Sequence, residues 1–392
     1  MEKALARAGK VPVKAKSKAP NAKAVRLTKV ARLNNSNAQR KSMASKKLTN
    51  EKLREIHSTM VESRVLEERL IRMNKAGEGY FWIGGPGEEA FAVPLGMLMR
   101  KGEGIQYDYL HSHYRGSPTV LALGGQSIDA IRQMRAVATD PYSGGRNFVN
   151  HYAIKKWNIV PVFSVIEAQY LQSIGTAHVQ REKGCKGITI VTGGDAGTAE
   201  GDFASALVWS SRPAGTLPLL MIVTNNKFGI STPWEGQHGE KNVADRGKAF
   251  GIRTNIINGN DVWESWEALE EAMEYVRTER KPFLLEARVS RLYGHSSASG
   301  APRWNEEDCL EVFEQKLIKA KVMTEKEIKA VHEKMTTKIT EAYKQVQQEA
   351  FPTPESIYDH VWAEENGDKG RDSFAAEIGI DFAKNPPPPA HH

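Results

Sequence analysis

From about Ile159 onward, short apolar runs alternate with stretches whose apolar residues recur at helical spacing, and this alternation constrains the chain more than any other feature. The runs Ile188–Thr192, Leu219–Thr224 and Phe283–Val289 are too short for buried helices and rich in large or β-branched side chains, so they read as strands. Helices are expected over Glu167–Arg181, from Asp202 onward, and over Val262–Arg280. Strands separated by helices pair in parallel, because a crossover helix returns the chain to the same edge. The expected fold is therefore α/β, a doubly wound parallel sheet with helices on both faces. Its ligand site is expected beyond the carboxyl ends of the strands.

Helical extensions flank this unit. Thr49 can cap a helix that carries Leu53, Ile56, Met60, Leu66, Leu70 and Met73 on one side, and Gly77 can stop it. Two helices should close the body, the second opening at Thr324-Glu325-Lys326-Glu327, a capping-box pattern. The ordered domain is expected over residues 48–364, followed by a polar tail that ends in Pro386–Pro389.

Charge is unevenly placed. Residues 1–47 hold 14 Lys/Arg and a single acid, Glu2, whereas the remainder holds 40 basic and 46 acidic residues. The net +7 thus belongs to an Ala-, Lys- and Ser-rich arm that is expected to be disordered. Three uses of the arm stay open: a solvated extension, a docking arm for an acidic partner, or an organellar targeting segment. The mildly acidic body argues against a nucleic-acid groove. Apolar runs such as Leu217 to Val223 are too short to span a membrane, and two cysteines, Cys185 and Cys309, offer no disulfide framework. A reducing interior is expected, the cytoplasm or, in a eukaryote, the mitochondrial matrix.

The segment Gly193-Gly194-Asp195-Ala196-Gly197-Thr198-Ala199-Glu200-Gly201-Asp202 leaves the Ile188–Thr192 strand. Small residues there let backbone N–H groups approach a phosphate. A carboxylate beside a phosphate is repulsive unless a cation lies between them, so Asp195 points to Mg²⁺. Magnesium takes a near-octahedral set of oxygens. Asn226 can supply a side-chain oxygen and Phe228 a carbonyl oxygen from Thr224-Asn225-Asn226-Lys227-Phe228-Gly229, at the end of the next strand.

With these segments the chain resembles the thiamine-diphosphate enzymes, whose pattern runs from Gly-Asp-Gly to Asn-Asn. More narrowly it resembles the α subunit of the 2-oxoacid dehydrogenase first component, the pyruvate, branched-chain and acetoin group. Further matching segments are Gly87-Glu88-Glu89-Ala90, His113-Tyr114-Arg115, Arg146 through His151-Tyr152, Ile230-Ser231-Thr232-Pro233, Asn258-Gly259-Asn260-Asp261-Val262 and Tyr293-Gly294-His295-Ser296. The resemblance implies that Tyr114, Arg115 and His295 reach the cofactor's diphosphate, with Gly194, Asp195, Ala196, Gly197 and Asn226 around it. It places Ser164 and Ile166 on the pyrimidine side, and it makes His295 and His151 the histidines of the reaction channel. His295, in a Gly/Ser loop, is expected to sit on a lid rather than in packed structure.

The resemblance also implies an activity. A 2-oxo acid is decarboxylated on thiamine diphosphate and lipoyl groups of an acyltransferase component are reductively acylated. A β subunit in a two-plus-two heterotetramer would supply the pyrimidine-activating glutamate. An acetoin-cleaving enzyme, a non-catalytic α-like subunit and a basic-tailed nucleic-acid-binding protein are the alternatives. Three departures stand out: Ala196 replaces the motif's second glycine, Ala214-Gly215-Thr216 lengthens the interval to Asn226, and Ser296–Arg303 lacks an aspartate.

Overall fold

Strands that are apolar at nearly every position must be covered on both faces, and the central strands here meet that condition. The computed structural model describes residues 48–359 apart from Phe163. The basic N-terminal arm and the Pro386–Pro389 tip lie outside the described residues. In chain order the elements are α1 (Asn50–Lys75), α2 (Glu89–Leu98), β1 (Tyr109–His111), α3 (Ser117–Ala122), α4 (Ser127–Arg135), α5 (Ala168–Glu182), β2 (Thr189–Gly194) and α6 (Gly201–Ser211). There follow β3 (Leu219–Asn225), the two-residue strands β4 (Phe228–Gly229) and β5 (Thr232–Pro233), α7 (Asp245–Ala249), β6 (Arg253–Asn258), α8 (Val262–Glu279), β7 (Phe283–Arg288), α9 (Cys309–Lys319) and α10 (Glu325–Val346).

The main sheet has the order β1-β2-β3-β7-β6, and every neighbouring pair is parallel. Alternation along β3 divides the core. Leu220 and Ile222 join Phe91 and Leu95 of α2 and Leu269, Met273 and Val276 of α8, while Leu219, Met221 and Val223 join Tyr170 of α5 and Phe203 and Leu207 of α6. The expected doubly wound α/β sheet is thus present. Two strands escaped the sequence reading for separate reasons. β1 is three residues long, and β6 is a largely polar edge strand, Arg-Thr-Asn-Ile-Ile-Asn, half of whose residues stay only partly buried. β2 also runs two residues past Thr192, so Gly193 and Gly194 end the strand instead of opening a loop.

The helical extensions form a further layer. Thr49 caps α1 by accepting from Lys52 N at 3.2 Å, and Gly77 follows the helix in the left-handed region at φ 74°. The capping box at Thr324 and Glu327 opens α10. Leu53, Ile56 and Met60 of α1 pack with Phe313 and Leu317 of α9 and Ile328 and Met335 of α10. Buried Arg64 of α1 donates to Glu89 of α2 at 2.7 and 3.1 Å and to Asp308, the N-cap of α9, at 2.7 Å. Removing one partner of such a buried network costs on the order of 3–5 kcal/mol. Glu89 therefore serves the fold: its carboxylate is spent on Arg64 and on Gly87 N at 2.7 Å.

Candidate active site

The carboxyl ends of β1, β2, β3 and β7 all open on the same side of the sheet, and each hands over polar residues within a few positions of its end. Gly194 lies opposite Thr224 in register, which brings the residues after β2 and β3 side by side. Asp195 is the first residue past β2, 1% exposed, and Asn226 the first past β3, 2% exposed. Asn226 N donates to Asp195 Oδ1 at 3.4 Å, and Asn226 Oδ1 accepts from Phe228 N at 3.1 Å. Burial lifts the Asp195 carboxyl to about 6 against the pull of Arg115. Phe228 lies on β4, its ring edge-on to Trp304 at 4.9 Å with Arg291 above it. Ala196 and Gly197 begin a tight 3-10 turn, Ala196–Ala199, pinned by Thr198 Oγ1 donating to Asp195 O at 2.6 Å.

Cations gather opposite this acid. Tyr114 and Arg115 follow β1 and are both buried. Arg115 donates through Nη2 to His295 Nδ1 at 3.2 Å and through Nε to Gly84 O at 3.3 Å, with Glu88 3.8 Å away. Since arginine can only donate, His295 Nδ1 is the acceptor and its Nε2 carries the proton. Burial, then the charges of Arg115 and Arg291, hold the His295 imidazole down to about 4, so it stays neutral. His295 is packed rather than set on a free loop: Tyr114 meets it edge-on at 6.2 Å, and its segment bridges to Ile83 and Arg303. A Cβ placed on Gly194 would lie 3.8 Å from Arg115 and 4.0 Å from His113.

On the opposite flank, buried His151 donates from Nδ1 to Val149 O at 3.0 Å, which leaves Nε2 to accept from Ser164 Oγ at 2.5 Å. Ile166 and Val165 are 46% and 67% exposed, unlike their apolar neighbours in the sheet. Between them and the loop stands Glu167, 1% exposed and at φ 62°. Its Oε1 accepts from Gly194 N at 3.2 Å, and a Cβ on Gly193 or Gly197 would collide with its carboxyl. Burial raises that carboxyl to about 8.

Among the described residues, buried polar atoms without partners collect here: Glu88 Oε1, His113 Nδ1, Glu167 Oε2, Asp195 Oδ2, Asn226 Nδ2, and Nε and Nη2 of Arg291. Buried orphans of both signs around one glycine cradle fit a ligand that carries phosphate oxygens and a cation together. Four of these residues were not placed at the diphosphate by the sequence pattern. His113 adjoined the Tyr114-Arg115 pair, and Arg291 falls between the end of β7 and His295, so both were within reach of a search for donors near strand ends. Glu88 and Glu167 look like ordinary acids at helix starts, and only the packing places them against the loop.

The family model for the dehydrogenase E1 component matches residues 57–355. The chain belongs to that family. Within it the chain is of the α-subunit kind, similar to the 2-oxoisovalerate dehydrogenase subunit alpha of Bacillus subtilis (29% identical over 325 residues, 81% of this chain and 97% of the relative). The pyruvate dehydrogenase E1 component subunit alpha of the same organism is 27% identical over 312 residues, 77% of this chain and 80% of the relative. The mitochondrial 2-oxoisovalerate dehydrogenase subunit alpha of Dictyostelium discoideum is 27% identical, over 65% of this chain and 56% of the relative. The family depends on thiamine diphosphate, and the mixed acid–base cradle of this E1-family chain has the donors such a group needs. No helix among the described residues is long and apolar enough to cross a membrane.

Proposed function

We propose that the chain is the α subunit of a 2-oxoacid dehydrogenase that holds magnesium and the diphosphate end of thiamine diphosphate, and that acts on pyruvate or branched-chain 2-oxo acids together with a β subunit. The observation that carries this reading is the pairing of Asp195 and Asn226, side by side and buried, with Arg115, Arg291 and His295 facing them. Asp195, Asn226 and the Phe228 carbonyl would hold Mg²⁺, since hard oxygens suit that ion. Arg115 and the Nε2 proton of His295 would meet diphosphate oxygens, beside Tyr114, and Gly194, Ala196 and Gly197 would let the backbone approach. Ser164 and Ile166 would face the pyrimidine. His151, held neutral by burial against the opposing pull of its Nδ1 bond to Val149, keeps Nε2 as an acceptor toward Ser164. A neutral His151 can take a proton at Nε2 without first losing one, whereas His295, with Nδ1 occupied by Arg115, would serve as a hydrogen-bond donor through Nε2.

When bound, thiamine diphosphate would supply a nucleophilic carbon and an electron sink for decarboxylation. A lipoyl group of an acyltransferase component would be reductively acylated, its disulfide taking up the two electrons as the acyl thioester forms. A non-catalytic α-like subunit is the second reading, favoured by the Glu167 carboxyl, which occupies the glycine cradle where a diphosphate would bind.

The test is calorimetry of Mg²⁺-dependent thiamine diphosphate binding by the assembled α–β pair, with decarboxylation assayed on pyruvate and branched-chain 2-oxo acids. Asp195→Ala and Asn226→Ala are expected to abolish binding and turnover, and Phe228→Ala, which keeps its carbonyl, to weaken them less. Unchanged affinity in folded Asp195→Ala would remove Asp195 from the site, and the absence of turnover in the parent pair would favour the second reading.

A further inference from the structure

Outside the set of cofactor residues, three helices of the outer layer turn one nitrogen or oxygen ligand each toward a common point. His57 of α1 is fully buried, Glu314 of α9 has a side chain 16% exposed, and His332 of α10 one that is 39% exposed. His57 Nε2 lies 2.9 Å from Glu314 Oε1, and His332 Nε2 lies 2.7 Å from the same oxygen. The imidazole rings stand edge to face with centroids 6.2 Å apart. One ligand atom from each residue lies within 4.8 Å of the other two, and this is the one such trio of His, Cys, Asp or Glu among the described residues.

From this geometry we propose that His57, Glu314 and His332 form a binding site for a borderline divalent cation of the Zn²⁺ class. Two imidazole nitrogens and one carboxylate oxygen match that class, whereas Mg²⁺ and Ca²⁺ prefer oxygen alone. Ligands at the usual zinc distances stand about 3.3 Å apart around a tetrahedral ion. The two nitrogen–oxygen distances therefore need to open by only about half an ångström for an ion of that size. The half-exposed His332 side leaves the fourth position to water, while His57 and its neighbour Phe313 close the inner side with apolar packing.

One ligand comes from α1 and two from the adjacent closing helices α9 and α10, far from it in sequence, so an ion there ties α1 to that closing pair. The same α1 face carries Leu53, Ile56 and Met60 in the shared core. Such an ion binds the folded layer and not the unfolded chain, so its effect is read as stability. The arrangement performs no step in the proposed reaction and rests on none of the cofactor residues.

The experiment uses the full chain stripped with a chelator and titrated with Co²⁺, then Zn²⁺. One equivalent of Co²⁺ is expected to bind with the intense visible absorption of a four-coordinate ion, and Zn²⁺ should abolish that signal. At about a hundredfold excess over Kd, Zn²⁺ should raise Tm by about 4 °C. His332→Ala, a change at a partly exposed position, should fold normally by circular dichroism yet lose both the absorption and the Tm shift. Glu314→Gln should do the same, and Asp195→Ala should keep both. No four-coordinate Co²⁺ signal in the parent chain would overturn the site, leaving the trio as a hydrogen-bonded pair of histidines on one carboxylate. The same signal and shift retained in His332→Ala would also overturn it.

Discussion

Glu167 is the residue whose conformation and chemistry fit its surroundings least. A left-handed backbone is costly for a side chain of its size, and a buried carboxyl with one oxygen unpartnered adds to that cost. It sits against Gly193, Gly194 and Gly197, whose lack of side chains would otherwise leave backbone N–H groups free for a phosphate. Glu167 and a bound diphosphate would compete for the Gly194 N–H, and the carboxyl fills the space at Gly193 and Gly197 that phosphate oxygens would need. Glu167→Gly relieves the backbone and clears the cradle. It is expected to strengthen Mg²⁺–thiamine diphosphate binding by the α–β pair by about tenfold, near 1.4 kcal/mol, in calorimetry. Unchanged or weaker binding would show that the carboxyl turns aside or itself helps hold the ligand. Asp195 and Asn226 were legible in the sequence because their chemistry and their strand-end positions coincide. Glu167 stands at the start of a helix, and nothing local announces that its side chain folds back onto a glycine turn.

At the scale of elements, α1 is fastened to the loops under the site by Glu67, which accepts from Trp82 Nε1 at 2.8 Å and from Asn150 Nδ2 at 3.2 Å. Burial pushes this carboxyl up to about 7, and those hydrogen bonds offset only part of the effect. A raised carboxyl means that the folded state holds its proton more tightly than the unfolded state. The associated stability is fully present below the ordinary carboxyl range, near 4.5, and is lost as pH rises through about 7. Its size is about 3 kcal/mol. Urea unfolding at pH 5 and pH 8 should therefore show the parent chain losing about 2.5 kcal/mol more stability than Glu67→Gln across that interval. Parallel pH profiles would mean that Glu67 is ionised and satisfied at both values. The same elements show why legibility varies. Strands buried on both faces and helices with capping boxes advertise themselves through composition and spacing. β1 and β6 are set by pairing with neighbours, information that a three-residue or half-polar stretch does not carry alone.

For the whole molecule, the question is what completes the site. In the proposed site Asp195, Asn226, Arg115 and His295 would address a diphosphate and its metal, while each of the remaining acids near them already has a neighbour in this chain. Glu89 is spent on Arg64, Glu88 lies beside Arg115, and Glu167 bonds the Gly194 N–H. Around the mouth, Phe148, Val165, Ile166 and Ile230 are 46–67% exposed, a concentration of apolar surface that suits coverage by another protein. Holding a cofactor by its phosphates does not activate its other end, so the isolated chain is expected to bind thiamine diphosphate weakly and to show no 2-oxo-acid decarboxylation. Adding the β partner should create tight binding and turnover together, because each subunit would supply half of the pocket. Charge-introducing changes at the mouth, such as Ile230→Glu, should weaken that assembly while leaving the chain folded. Decarboxylation by the isolated chain at a rate similar to the pair would sink the shared-site model. It would place an activating carboxylate on this chain, with Glu88 and Glu167 the first to replace.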